Sequence, residues 1–170
     1  MVKIRNAELS DIENLTVLKL QVWIATYATE GIRKEFADYV LSEFTIEKTQ
    51  NTILDTNLIT LIAESDNHLI GCIEIKFNSI DAIPQVKDHP EISVLYVLER
   101  FFRVGVGTKL LKEALSIIKK MNFHSAWLSV YYKNERAISF YRKNNFDIIG
   151  ATFFKMQKNQ YENKVMVCNF

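Results

Sequence analysis

The chain has 170 residues, the length of one ordinary domain with a substantial core, and its 21 basic and 20 acidic residues leave a formal charge of +1. No field of one sign draws in nucleic acid or an anionic membrane, so both are excluded as partners and small molecules are favoured. No stretch approaches the roughly 18 consecutive apolar residues of a membrane span, and MVKIRNAELSDIENL carries charges where a signal peptide needs an apolar run, so a cytoplasmic protein is expected.

In chain order, Val2 to Ala7 alternates as a strand, and Ser10-x-x-Glu13 reads as a capping box opening a helix that carries Ile12, Leu15, Leu18 and Val22 and ends before Gly31. Ile32 to Leu41 and Ile46 to Leu54 read as two further helical pieces. Leu58 to Glu64 and Leu69 to Phe77 are apolar strands joined by Ser-Asp-Asn-His, a turn of the composition a hairpin uses. Glu91 to Val97 is the next strand. The helix after Gly107 places Leu110, Leu111, Ala114, Leu115, Ile118 and Met121 on one face, with Lys109, Lys112, Lys119 and Lys120 outside it. Ser125 to Tyr131 is a strand, Asn134 to Asn144 a helix, and Ile148 to Met156 and Tyr161 to Cys168 are the last strands. The order predicts a mixed α/β fold of about seven strands with a central parallel strand-helix-strand crossover and flanking helices. Pro84 and Pro90 are the only prolines and the five glycines are dispersed, so no linker divides the chain and one domain over residues 1–170 is expected. Cys72 and Cys168 lie apart in apolar runs and read as small buried side chains rather than a disulfide. His68, His89 and His124 have no partner at metal-ligand spacing, and no metal is expected.

The segment Val97 to Leu111, VLERFFRVGVGTKLL, leads an extended apolar run through Gly105-x-Gly107 into a helix. Glycines let the backbone approach a ligand, and the first N–H groups of the helix, without intrahelical partners, point at it with the positive end of the helix dipole behind them. A pyrophosphate fits such a site, although paired glycines also occur in plain turns.

The residues Phe102-Arg103-Val104-Gly105-Val106-Gly107 resemble the Gln/Arg-x-x-Gly-x-Gly/Ala loop of GNAT acyl-CoA-dependent N-acetyltransferases. A second block agrees: strand residues 127–130, then Asn134, Ala137, Phe140, Tyr141 and Phe146. The resemblance covers nearly the whole chain and implies a GNAT-like fold with acetyl-CoA as cosubstrate, held by Arg103, Val104, Gly105, Val106, Gly107 and Thr108. Phe102 departs from the pattern and removes a polar contact, which neighbouring Arg103 can replace in charge. Asn145 stands where the family has glycine, and asparagine is the next best residue for a left-handed helix terminus. Asn134 reads as an N-cap, and the resemblance adds a contact to the pantetheine arm.

Acetyl transfer needs a neutral amine, donors for the carbonyl oxygen and a proton for the departing thiolate. Tyr141 resembles the family tyrosine beside the coenzyme sulfur, and a phenol with an ordinary pKa of about 10 is a suitable acid; without the resemblance it reads as a core aromatic. Glu91, eleven positions before Phe102, resembles a catalytic glutamate that deprotonates the amine; the plain reading is a solvated strand-end carboxylate. The main chain of Val97 and Leu98 resembles the splayed strand that pairs with pantetheine and supports the oxyanion, while Leu95 and Tyr96 read as packing. Trp23 and Tyr27, with Glu30, Glu35, Asp38, Tyr39 and Glu43, are candidates to line the acceptor site, since aromatic and acidic residues together suit a cationic amine. Residues 149–156 and Glu91 are similar to PaiA-type polyamine acetyltransferases. The expectation is therefore an enzyme that acetylates a primary amine of a small molecule by direct attack in a ternary complex, with spermidine or spermine as the first acceptor and a homodimer as the assembly that look-alikes suggest. The rival is a non-catalytic acyl-CoA-binding module. A dinucleotide-dependent oxidoreductase is disfavoured, because the third glycine is missing and the loop comes late in the chain.

Overall fold

Residues 1–79 and 83–170, described by a computed structural model, form seven strands and five helices. In chain order these are β1 (Lys3–Asn6), α1 (Ile12–Tyr27), α2 (Lys34–Glu43), α3 (Ile46–Leu54), β2 (Leu58–Ser65), β3 (His68–Lys76), β4 (Glu91–Val97), α4 (Val106–Lys120), β5 (Ser125–Tyr131), α5 (Glu135–Lys143), β6 (Asp147–Met156) and β7 (Asn159–Asn169). The strand order is β1-β2-β3-β4-β5-β7-β6. Strands β4 and β5, joined through α4, pair in parallel at Glu91↔Trp127; the predicted mixed sheet and its crossover are both present. The chain divides into two compact units, Met1–Glu74 with Val94–Glu113, and Ile75–Ser93 with Ala114–Phe170.

In the first unit, β1 pairs antiparallel with β2 from Lys3↔Glu64 to Asn6↔Leu61. Asp66 and Asn67 both take positive φ, 50° and 62°, the backbone that a two-residue hairpin turn requires and that these residue types tolerate. The apolar stripe of α1, Leu15, Leu18 and Val22, packs with Ile62 and Cys72, and Val94, Tyr96 and Leu98 adjoin this cluster. The Ser10-x-x-Glu13 box does not form. Instead a 3-10 turn over Leu9–Asp11 precedes α1, and the Glu8 N–H donates to Asp11 Oδ2 at 2.8 Å. Asp11 is held there by two hydrogen bonds from Arg5, at 2.7 and 2.9 Å, while Arg5 also donates to Glu64 at 2.9 Å. Helix α2 starts later than predicted because Gly31 turns the chain at φ 109° and Arg33 is still extended.

In the second unit, β5 pairs antiparallel with β7 from Ser125↔Asn169 to Tyr131↔Asn163, and β7 pairs with β6. Val86, Trp127 and Val165 form a buried cluster. The Trp127 indole N–H donates to the His89 carbonyl at 3.0 Å, and His89 Nδ1 lies 2.7 Å from Ser125 Oγ. Met121, expected on the buried face of its helix, is 48% exposed, because α4 ends at Lys120 and Asn122 turns the chain at φ 65°. Both cysteines are free and buried. Among the described residues no helix is long and apolar enough to cross a membrane.

Candidate active site

Strand β4 delivers the chain into the glycine loop. The Leu98 N–H donates to the Ile70 carbonyl at 3.0 Å, so that donor is spent within the sheet; alternation turns the Val97 N–H and C=O away from β3. Of the two residues the resemblance names, Val97 is the one whose main chain can meet a ligand. A 3-10 turn over Glu99–Phe101 follows. Arg103 then takes φ 63° and Gly105 φ 87°, left-handed conformations that gather successive N–H groups on one side. The first hydrogen bond of the helical ladder runs from Lys109 N to Gly105 O at 3.0 Å. The N–H groups of Val106, Gly107 and Thr108 precede it and open at the helix N-terminus. A Cβ built on Gly105 would meet no atom within 4 Å, so the space beside that residue is open.

In the second unit, Asn134 caps α5, its Oδ1 accepting from the Ala137 N–H at 3.1 Å. Near the end of the same helix, Tyr141 is buried, with its ring 5.3 Å from that of Phe140 and 5.8 Å from that of Phe146. The turn that ends α5 uses Asn145 at φ 65°, with Phe146 N donating to Tyr141 O at 3.1 Å, the left-handed terminus expected of an asparagine in that place. Glu91 heads β4 and its carboxylate accepts from the Ser79 hydroxyl at 2.7 Å, so it is held rather than freely solvated.

Back in the first unit, the candidate acceptor residues separate into two groups. Trp23 gathers an aromatic cluster, with ring centroids 4.7 Å from Tyr27, 4.9 Å from Tyr39 and, edge on, 5.4 Å from Phe36. Burial pushes the phenols of Tyr39 and Tyr96 well above the ordinary tyrosine range, and neighbouring acidic groups push the same way. These hydroxyls stay protonated. The charged candidates take basic partners, Asp38 with Lys34, Glu43 with Lys48 and Glu35 with Arg33, while Glu43 acts on Tyr39 and Arg33 lies over the Phe36 ring. Phe36, Lys19 and Glu74 escape the sequence reading, and Tyr96 is read there only as packing. The Lys19 ammonium and the Glu74 carboxylate, nearly buried, meet at 2.7 Å. Burial opposes the charge on Lys19, but attraction and hydrogen bonding to Glu74 outweigh it and its pKa rises. The signal was available, since a lone glutamate inside Ile70-Gly71-Cys72-Ile73-Glu74-Ile75 demands a buried partner. Among the described residues no group of three or more His, Cys, Asp or Glu side chains could hold a metal ion.

Comparison with known proteins agrees with this geometry. Residues 21–146 match the Acetyltransferase (GNAT) family. A spermidine N(1)-acetyltransferase of Thermoplasma acidophilum is 28% identical over 164 residues, covering 92% of this chain and 97% of that protein. An N-alpha-acetyltransferase of Sulfurisphaera tokodaii is 24% identical, covering 85% and 79%. Among solved structures, the PaiA N-acetyltransferase of Thermoplasma acidophilum in complex with coenzyme A superposes with a TM-score of 0.80 at 25% identity, covering 100% of this chain and 99% of that one. The chain belongs to the acetyltransferase (GNAT) family, and it is an N-acetyltransferase that uses acetyl-CoA.

Proposed function

We propose that this protein acetylates a primary amine of a small linear polyamine, with spermidine or spermine as the first acceptor to consider. The observation that carries the acceptor class is the cluster of Trp23, Tyr27 and Tyr39 rings, whose electron-rich faces suit an alkylammonium. The spermidine N(1)-acetyltransferase that shares 28% identity over 92% of the chain supports the same reading.

Acetyl-CoA supplies an activated acyl group, and the roles of this chain's residues follow from their positions. The N–H groups of Arg103 to Thr108 hold the pyrophosphate, with Arg103 adding charge where Phe102 adds none. Val97 offers its main chain to pantetheine and its N–H to the carbonyl oxygen, and Asn134 contacts the pantetheine arm. Tyr141 gives a proton to the departing sulfur. Glu91 takes a proton from the acceptor's ammonium, which frees the nitrogen lone pair for direct attack on the thioester carbon; the C–S bond breaks as the amide forms, and the second nitrogen proton returns to the Tyr141 oxygen. The family match spans residues 21–146 and so enters both units, which supports reading residues 1–170 as one N-acetyltransferase domain; its charge and its cosubstrate fit a cytoplasmic setting.

The test is thiol release from acetyl-CoA by the purified protein against spermidine, spermine, aminoglycosides, amino acids and short peptides, with coenzyme A binding followed by thermal shift. Release with a polyamine above the other acceptors is expected. Release only with another class would overturn the polyamine reading, and coenzyme A binding without release on any amine would turn it toward a binding module.

A further inference from the structure

The Lys19–Glu74 pair is costly to bury and incompletely satisfied. Two charges removed from water are repaid only when the remaining protons and lone pairs also find partners. Lys19 spends one hydrogen on Glu74 Oε1, and among the described residues no hydrogen bond reaches Glu74 Oε2. The single fully buried side-chain polar atom without a partner among the described residues is Thr60 Oγ1, so Oε2 keeps contact with solvent and is open to a further donor.

Its place along the fold gives that donor a position. Lys19, Trp23 and Tyr27 stand four residues apart on α1, one face of the helix, and from the first to the last they span about 12 Å. On β3, Ile70 bonds Leu98 beside the glycine loop, and Glu74 lies four residues further along the strand, about 13 Å away. The stripe runs from a carboxylate at one end to Tyr27 at the other, and Tyr27 lies close enough to Tyr96, one residue before the end of β4, to raise its pKa.

We infer that Glu74 is a specificity-determining residue that receives a remote, non-reacting nitrogen of a linear polyamine at Oε2, with Lys19 as the positioning residue that fixes the carboxylate. This rests on the polyamine reading above and deepens it. The N–H of the polyamine completes the unsatisfied pair, and its methylenes lie along Tyr27, the half-buried ring that the buried Trp23 backs. A monoamine of similar reach has no nitrogen for Glu74 and gains nothing from it.

The experiment measures binding of spermidine and of nonylamine, a monoamine of the same chain length, by calorimetry, and their KM values, for the wild type, Glu74→Gln and the double variant Lys19→Met/Glu74→Met. The double variant replaces a buried pair with apolar side chains of similar length, a change that is often neutral or stabilising, so it reports on the site even where Glu74→Gln fails to fold. The wild type is expected to prefer spermidine by about tenfold or more, the size of a hydrogen bond to a charged group. That preference is expected to fall to within about twofold in both variants, with KM for acetyl-CoA unchanged. A folded double variant that keeps the preference overturns the assignment and leaves the polyamine reading standing. A wild type that acetylates amines without preferring spermidine overturns both.

Discussion

The Ser79 hydroxyl donates to Glu91 Oε2 at 2.7 Å, which fixes the carboxylate at the head of β4 as an acceptor and keeps it aimed. A carboxylate held in this way and serving as base makes turnover depend on its own ionisation at low pH and relieves the reaction of dependence on free amine. Glu91→Gln is expected to move the rising limb of the pH–rate profile toward high pH, where unprotonated acceptor is abundant, with turnover at neutral pH lower by about 10²-fold. Ser79→Ala is expected to reproduce the direction at smaller size. An unaltered profile in both variants would return Glu91 to a structural role.

Tyr141 is buried between Phe140 and Phe146, so its ring contributes packing that phenylalanine retains. Removal of the hydroxyl alone isolates the proton transfer proposed for it. Tyr141→Phe is expected to lower kcat by about 10²-fold or more while leaving coenzyme A affinity and melting temperature nearly unchanged. A change within twofold in kcat would mean that another group protonates the thiolate.

Where backbone chemistry dominates, the sequence was readable. The left-handed Asp66-Asn67 turn, the Asn134 cap, the Asn145 terminus and the glycine loop each need a residue type that is rare elsewhere in its role, so the type announces the geometry. The acceptor side resisted because its features depend on pairs distant in sequence. Glu74 meets Lys19 across 55 positions, and Tyr96, read as packing, gains its environment from Tyr27, Tyr39 and Glu74 on other elements. The capping box at Ser10 failed for a local reason: Glu8 and Asp11 close a box two residues earlier, and Arg5 on β1 holds Asp11 there.

At Gly105 two requirements can be separated. Its φ of 87° disfavours any Cβ, and β-branched residues most, yet a Cβ there meets open space. Gly105→Asn is therefore expected to fold with a small loss of stability, and Gly105→Val to lose about 1–3 kcal/mol from backbone strain. In the proposed cradle both add atoms beside the amides that would hold the pyrophosphate, so coenzyme A affinity is expected to fall about tenfold or more in each. Wild-type affinity in a folded Gly105→Asn protein would remove the loop from the cofactor site.

Asp11 offers a test of stability against pH. Two hydrogen bonds from Arg5 hold its carboxyl below the ordinary value of 3.8, so the folded state binds a proton less readily than the unfolded chain. The stabilisation is therefore complete above that ordinary value and disappears as pH falls through the lower, folded one. Arg5→Leu is expected to cost about 2 kcal/mol at neutral pH, or roughly 4–8 °C in melting temperature. The gap from wild type is expected to narrow progressively below about pH 4. A gap that is constant from neutral pH to pH 2 would assign the loss to packing of the arginine stem rather than to the ion pair.

Gly71 controls the placement of β4. A Cβ at that position would lie 2.8 Å from the Tyr96 carbonyl, 3.2 Å from Val97 Cγ2 and 3.3 Å from Leu110 Cδ1. The first of these is backbone, which cannot rotate aside as a side-chain tip can. Gly71→Ala must therefore push β4 and α4 away from β3, at a cost of about 1–3 kcal/mol for an overpacked interior. Because the displaced residues are Tyr96 and Val97, the proposed role of Val97 makes the damage functional as well as structural: its main chain moves from the position proposed to meet pantetheine. The expected result is a lowered melting temperature together with a KM for acetyl-CoA raised severalfold, whereas Gly31→Ala, where a Cβ meets nothing within 4 Å, leaves that KM at the wild-type value. Equal KM values in the two variants would detach the β4 main chain from the cofactor.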